Sequence, residues 1–376
     1  MLNPVSGERA GIGHYTFHLV RALLELDRQN EYVLYFDHRM PGAITDDFMH
    51  PNVTVRRLPF SRYRKFLPFA YTHLLLAAYL TRDRLDVFHA PANVMPLSYN
   101  RPTVVTVHDL AIYEHPEWFP SQIAATRLLV PQTIKRANAI IAVSKATKRD
   151  LLKHFTVPAG KVIVVPEAVD TTLLPLRDMN TDIHRAYKLP PQYVLYIGTI
   201  EPRKNLSTLI QAWRQLNLKY PAVTKDKALI IAGGLGYHGK RKLKLIQAQP
   251  KSTVKYLGYV SHNHKIKLIR SAAAFVFPSR YEGFGLPVLE AMQLGTPVIT
   301  TNVSAIPEVA GSAALLFKPD DVRSLTENIR QILIRPALAH RLSAAGRKQA
   351  KQYSWSRTAR ETLAVYRRVA GHRRAC

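Results

Sequence analysis

Two series of short apolar runs, each alternating with helical stretches and separated by a Pro190-Pro191 break, constrain this chain more than any other feature. In the first series Tyr32–Phe36, Val53–Leu58, Leu85–His89, Thr103–His108, Ala139–Val143 and Val162–Val165 read as strands, with helices expected notably at Ser121–Ala137 and Lys145–His154. In the second, strands are expected at Tyr193–Ile197, Ala228–Ala232, Val254–Leu257, Ala274–Phe277, Pro297–Thr300 and Ala314–Phe317, with a helix over Leu206–Leu216. Short apolar runs separated by helices bury both faces of a parallel sheet, so the fold class is α/β with two similar halves. At 376 residues the chain also exceeds the size at which one core stops growing. The expected division is 1–180, 181–355 and a final helix in 356–376 that packs back across the halves, with the linker near Pro175–Pro191.

Charge narrows the partners. Lys and Arg number 53 against 26 Asp and Glu, a formal net charge of +27. Such an excess favours an anionic partner: nucleic acid, an anionic membrane surface or a phosphorylated substrate. The basic residues are spread over both halves, and no helix-turn-helix, zinc or aromatic-repeat signature accompanies them, so no specific nucleic-acid partner is expected. A basic nucleic-acid-binding protein without catalysis remains the alternative reading. The single cysteine, Cys376, permits neither an intramolecular disulfide nor a cysteine-rich metal site. With no signal-like apolar run and no stretch long enough to span a bilayer, the expected location is cytoplasmic. Phe66–Leu80, flanked by Arg62, Arg64, Lys65, Arg82 and Arg84, reads either as a segment lying on the inner face of an anionic membrane or as a buried helix.

The candidate chemistry centres on Phe275–Glu290, FVFPSRYEGFGLPVLE. A strand leads into a Gly-rich corner and a helix beginning near Leu286, with Glu282 on the loop side and Glu290 inside the helix. The amides of Gly283, Phe284, Gly285 and Leu286 fall at the helix N-terminus, where unpaired N–H groups favour an anionic or hydroxyl-rich ligand. Gly283 and Gly285 admit close approach of a ligand, and a carboxylate accepts hydrogen bonds from neighbouring sugar hydroxyls. By spacing alone, this is equally a turn with two chance glutamates.

Other strand ends carry similar features. Arg203 and Lys204 stand at a strand-to-helix turn, where two cations can meet a diphosphate or form a solvated pair. Gly233-Gly234-Leu235-Gly236 is a close-approach loop, and His108-Asp109 closes a strand where parallel sheets bind ligands. Gly11 and Gly13 open a helix near the N-terminus, but Thr16 occupies the third position of a G-x-G-x-x-G fingerprint, which speaks against an NAD-dependent oxidoreductase. No Asp-x-Asp lies at a strand end, since Asp46-Asp47 and Asp320-Asp321 read as turn residues. No metal or other cofactor is expected.

Taken together, GTIEPRKN, AGG, YLGYVS and PSRYEGFGLPVLEAMQLGTPVITTNVSAIPEV resemble the retaining glycosyltransferases of family 4, the glycosyl transferases group 1. GIGHYT, VTVHDL, IIAVSKATKRDL and YSWSRTARETL extend the match over most of the chain. The resemblance implies a GT-B fold, two Rossmann-like domains with parallel sheets facing a central cleft, the nucleotide-sugar donor held chiefly by the second and the acceptor by the first. It places Glu282 at the donor-sugar hydroxyls, Glu290 at the ribose, Arg203 and Lys204 at the diphosphate, and the amides of Phe284, Gly285 and Leu286 around sugar and phosphate. It further places His108 at the donor sugar, Gly11 and Gly13 on the opposing domain, and the base by Gly234 and Tyr259-Val260. The implied acceptor is lipid-linked or a polysaccharide, and mannose is slightly favoured by the HDL and HPEWF stretches. Family members begin with a strand before the Gly-rich loop; ahead of Gly11 no strand-like run is found, and that strand is expected to be missing.

Overall fold

The structure, a computed structural model, describes residues 11–37, 46–58, 71–169 and 183–371. The segment before Gly11 and the basic segment Arg62–Lys65 lie outside these residues. The chain divides into two compact units, one comprising Met1–Ala168 with Ser354–Cys376 and the other Val169–Tyr353.

In the second unit six strands form one parallel sheet: β7 (Gln192–Ile197), β8 (Lys227–Ala232), β9 (Val254–Tyr256), β10 (Ala274–Phe277), β11 (Val298–Thr301) and β12 (Ala314–Phe317), in the order β12-β11-β10-β7-β8-β9. The central strands are apolar without alternation because helices cover both faces. Val194, Leu195, Ile230, Ile231, Phe275 and Val276 have no exposed surface. The chain winds outward from β7 through β8 to β9, then returns to β10 on the other side of β7. The strand order reverses between β7 and β10, and the carboxyl ends of strands at such a switch point are where open parallel sheets bind ligands.

The first unit holds a four-stranded parallel sheet, β3 (Phe88–Ala90), β4 (Thr103–Val107), β5 (Ala139–Ala142) and β6 (Val162–Val164), and a parallel pair, β1 (Tyr32–Asp37) and β2 (Val53–Leu58). The run expected to be a strand from Leu85 is one only from Phe88, because pairing with β4 begins where Phe88 meets Thr103. In the described part of Phe66–Leu80, Leu76, Ala77 and Leu80 are buried against Leu58 and Tyr99, while Leu74 and Leu75 are exposed. Among the described residues no helix is long and apolar enough to cross a membrane.

The last helix, Trp355–Gly371, belongs to the first unit. Ala359 and Leu363 pack against Tyr15, Leu19 and Leu23, while Val365 and Val369 pack against Val104 and Ile141. Burying these side chains completes the core of a unit whose other residues precede it by the whole length of the second.

Candidate active site

Beyond the carboxyl ends of β7 and β10 the predicted cations Arg203 and Lys204 meet the predicted carboxylate Glu282. After β7 the chain makes a 3-10 turn, Pro202–Lys204, and Asn205 adopts the left-handed conformation before the helix Leu206–Lys219. After β10 the backbone amide of Arg280 donates to the Arg203 carbonyl at 2.9 Å, joining the two loops. Arg280 reinforces the junction by donating from Nη1 to the Pro202 carbonyl at 3.3 Å and from Nη2 to Asp320 Oδ1 at 2.6 Å.

On this frame Glu282 receives both cations. Lys204 Nζ donates to Glu282 Oε1 at 2.6 Å and Arg203 Nη1 to Oε2 at 2.9 Å. Arg203 Nε also donates to Glu201 Oε1 at 3.0 Å, so two carboxylates balance two cations in a largely buried cluster. Burial opposes ionisation of Glu282, but the charges of Arg203 and Lys204 outweigh it and hold its pKa at about 2. Glu282 is thus a carboxylate that only accepts hydrogen bonds. The backbone supports it as well, its amide meeting Ser304 Oγ at 2.8 Å.

The corner beyond Glu282 fixes the helix Leu286–Leu294. Gly285 is its N-cap with φ 111°, and no side chain caps the helix. A β-carbon there would lie 2.8 Å from Ile306 Cδ1. Phe284 is buried edge-on against Tyr353, ring centroids 5.6 Å apart, which anchors the corner. One turn into the helix Glu290 is buried; Lys265 Nζ, from the helix His262–Ser271, donates to its Oε1 at 2.6 Å, while its Oε2 is buried without a partner among the described residues. A buried carboxylate oxygen lacking a donor is costly unless a ligand supplies one.

The loops after β7, β8 and β9 are bound together by their main chains. Gly233 N donates to the Gly258 carbonyl at 2.7 Å, and Ile200 N to the Gly234 carbonyl at 2.8 Å. Gly233 has φ 139°, and a β-carbon would fall 2.0 Å from the Gly198 carbonyl oxygen, so a side chain cannot be accommodated. Gly234 faces open space, and Val260 is buried next to an exposed Tyr259.

His108 and the two N-terminal glycines stand in the first unit. Gly11 caps the helix Ile12–Leu26 and Gly13 is inside its first turn, so the helix starts between the glycines instead of after them. Four residues on, Tyr15 presents its ring edge to His108 with centroids 4.8 Å apart. His108 leaves the end of β4, its amide held by Asn93 Oδ1 at 3.1 Å. Its Nδ1 lies 2.7 Å from Glu167 Oε1, and its Nε2 lies 3.0 Å from the Pro91 carbonyl.

Glu167, Lys265, Arg280 and Asp320 were not selected from the sequence. Glu167 follows β6, a strand end like those that were selected; Lys265 and Arg280 carry no local mark in so basic a chain.

The matches to known proteins cover the same ground. Glycosyltransferase Family 4 matches residues 9–173, and Glycosyl transferases group 1 matches residues 180–349. Over 379 residues the chain is 31% identical to O-antigen chain mannosyltransferase B of Escherichia coli, with 97% of each covered. The chain is a glycosyltransferase of the group 1 family. Sucrose-phosphate synthase from Thermosynechococcus elongatus superposes with a TM-score of 0.75 at 22% identity, covering 99% of this chain and 97% of that one. Anabaena HepE in complex with UDP and glucose gives 0.71 at 19%, covering 96% of each. The two parallel-sheet units are those of the GT-B fold. For this group 1 glycosyltransferase the nucleic-acid-binding alternative is no longer favoured.

Proposed function

We propose that this glycosyltransferase moves a hexose, mannose in first place, from a nucleoside-diphosphate sugar to a hydroxyl of a lipid-linked or polysaccharide acceptor, with retention of anomeric configuration. The observation that carries this reading is the Glu282 carboxylate held by Lys204 and Arg203 at 2.6 and 2.9 Å. A diphosphate is the ligand that can exchange with that carboxylate, because it brings several anionic oxygens to the same two cations. Once displaced, Glu282 offers its oxygens to hydroxyls of the donor sugar, and Glu290 Oε2 is an acceptor for a ribose hydroxyl. The E. coli relative is an O-antigen chain mannosyltransferase, which supports the choice of mannose and of a polysaccharide acceptor.

The chemistry follows from the charges. As the glycosidic bond breaks, negative charge grows on the departing diphosphate; Arg203, Lys204 and the uncapped amides at Gly285 and Leu286 stabilise it where other enzymes use a divalent ion. Retention then proceeds by attack from the face the phosphate leaves, with the phosphate oxygen taking the acceptor's proton. Glu282 and His108 position the sugar and form no covalent bond to it. We place contact with an anionic cytoplasmic membrane face at Arg62–Lys65.

The test is donor hydrolysis and thermal shift on the purified chain with GDP-mannose, UDP-glucose and UDP-GlcNAc, with and without EDTA. One donor should stabilise the protein, independently of EDTA, and the effect should vanish in Glu282→Ala. Product NMR should show the donor's anomeric configuration preserved. Loss of activity with EDTA, or an inverted product, would overturn the respective part.

A further inference from the structure

The surroundings of His108 specify its charge. Glu167 Oε1 stands 2.7 Å from Nδ1 and the Pro91 carbonyl 3.0 Å from Nε2. Both side chains are enclosed, His108 14% and Glu167 6% exposed. A carboxylate and a carbonyl accept hydrogen bonds and cannot donate them, so each ring nitrogen must carry a hydrogen, and only the imidazolium satisfies both contacts.

The other groups around the ring are consistent with this. Asp109, next in sequence, adds a second negative charge. Tyr15, edge-on at 4.8 Å, is kept neutral because burial raises its pKa. His89, bonded to Thr106 Oγ1 at 2.8 Å and to the Tyr366 hydroxyl at 2.6 Å, is driven down to about 3 chiefly by burial and is neutral too. Burial by itself lowers the pKa of His108; the hydrogen bond and charge of Glu167 reverse the direction and raise it above the ordinary value.

We propose that Glu167 is a positioning residue for the transfer reaction, fixing the His108 ring and keeping it cationic, so that His108 meets its substrate as a fixed positive charge and not as a base. This deepens the glycosyl-transfer reading and rests on it. A doubly protonated His108 has no lone pair with which to take the acceptor's proton, which leaves that proton to the departing phosphate.

The test uses the full chain labelled with 15N-histidine, in wild type, Glu167→Gln and Glu167→Asp, with His108→Gln to assign the ring signals. In wild type both His108 nitrogens should remain protonated at a pH above the ordinary histidine value of about 6.5. Glu167→Gln keeps an acceptor oxygen but loses the charge, so His108 should become neutral at lower pH, and Glu167→Asp should restore part of the difference. In parallel, kcat for GDP-mannose should fall about tenfold in Glu167→Gln above pH 6.5, recover below it, and leave KM within about threefold, the pattern of a lost transition-state contribution. Thermal unfolding reports whether each variant is folded. A neutral His108 in wild type near pH 7, or a Glu167→Gln pH profile superimposable on wild type, would overturn the proposal. If no donor is turned over by wild type, the glycosyl-transfer reading fails and the positioning role falls with it, while the NMR titration still decides whether Glu167 sets the charge.

Discussion

Lys204 Nζ lies 2.6 Å from Glu282 Oε1, though 78 positions separate the two residues in the chain. Their strands β7 and β10 are hydrogen-bonded neighbours at the centre of the second unit's sheet. The pair is nearly sealed, with side chains 9% and 10% exposed, and the Lys204 ammonium lies over the face of Phe277, its Nζ 4.8 Å from the ring centroid. Removing one partner of a buried pair leaves the other charge uncompensated, which costs about 3–5 kcal/mol. Glu282 retains Arg203 when Lys204 is lost, so Lys204→Met should fall at the lower end and Glu282→Gln at the upper. The double variant should recover part of the loss. Urea unfolding of the full cycle measures this; strictly additive effects would show that the two side chains do not share their energy in solution.

The same carboxylate makes stability depend on pH. Glu282 falls from an ordinary 4.5 to about 2 in the folded chain. A lowered folded-state pKa contributes stability that is fully present above 4.5 and disappears as pH drops towards 2. Its size is about 3 kcal/mol at neutral pH. Glu282→Gln should therefore be less stable than wild type at pH 7 and flatter between pH 5 and 2. An unchanged acid limb in the variant would mean that other carboxylates govern this range.

Gly285 is required by backbone and by space together. Its φ of 111° is unfavourable for any residue with a β-carbon, and that atom would sit 2.8 Å from Ile306 Cδ1. Gly285→Ala should cost about 1–2 kcal/mol from the backbone conformation alone, more with the contact. Adding Ile306→Val removes the contact but not the conformational cost, so it should rescue only in part. Full rescue would assign the whole effect to packing, and no loss in Gly285→Ala would mean that the corner relaxes freely. Donor binding should fall in the single variant, since the amides of Gly285 and Leu286 move with the corner.

Much of this was legible in the sequence because it depends on local pattern. Short apolar runs bounded by turns located the strands, and the run Ala274–Phe277 followed by Glu282, Gly283 and Gly285 located the corner between β10 and the helix Leu286–Leu294. What depends on strand order was not legible. Nothing local says that the loop carrying Arg203 and Lys204 lies against the loop carrying Glu282, or that Glu167 after β6 reaches His108 after β4, two strands away in the order β3-β4-β5-β6. Leu85–Val87 has the composition of a strand, yet only pairing decides where β3 begins. The last helix shows an amphipathic face, but the surface covering that face is set by tertiary contacts with Tyr15, Leu19 and Val104.

Glu290 provides the most selective test of how the donor is held. One oxygen is occupied by Lys265 at 2.6 Å, and the other is buried without a hydrogen-bond partner among the described residues. In the proposed donor complex a ribose hydroxyl would supply the missing donor, and a hydrogen bond to a charged group is worth about 1.5–3 kcal/mol, roughly 10- to 100-fold in affinity. Wild type should therefore bind GDP more tightly than its 2′-deoxy or 3′-deoxy analogue by about that factor. Glu290→Ala should weaken GDP while leaving the analogue that lacks the contacted hydroxyl almost unaffected, so that the discrimination collapses towards one. Calorimetric titration of both proteins with all three nucleotides gives the coupling directly. If the variant weakens GDP and both analogues equally, Glu290 shapes the pocket through its Lys265 pair and does not touch the ribose.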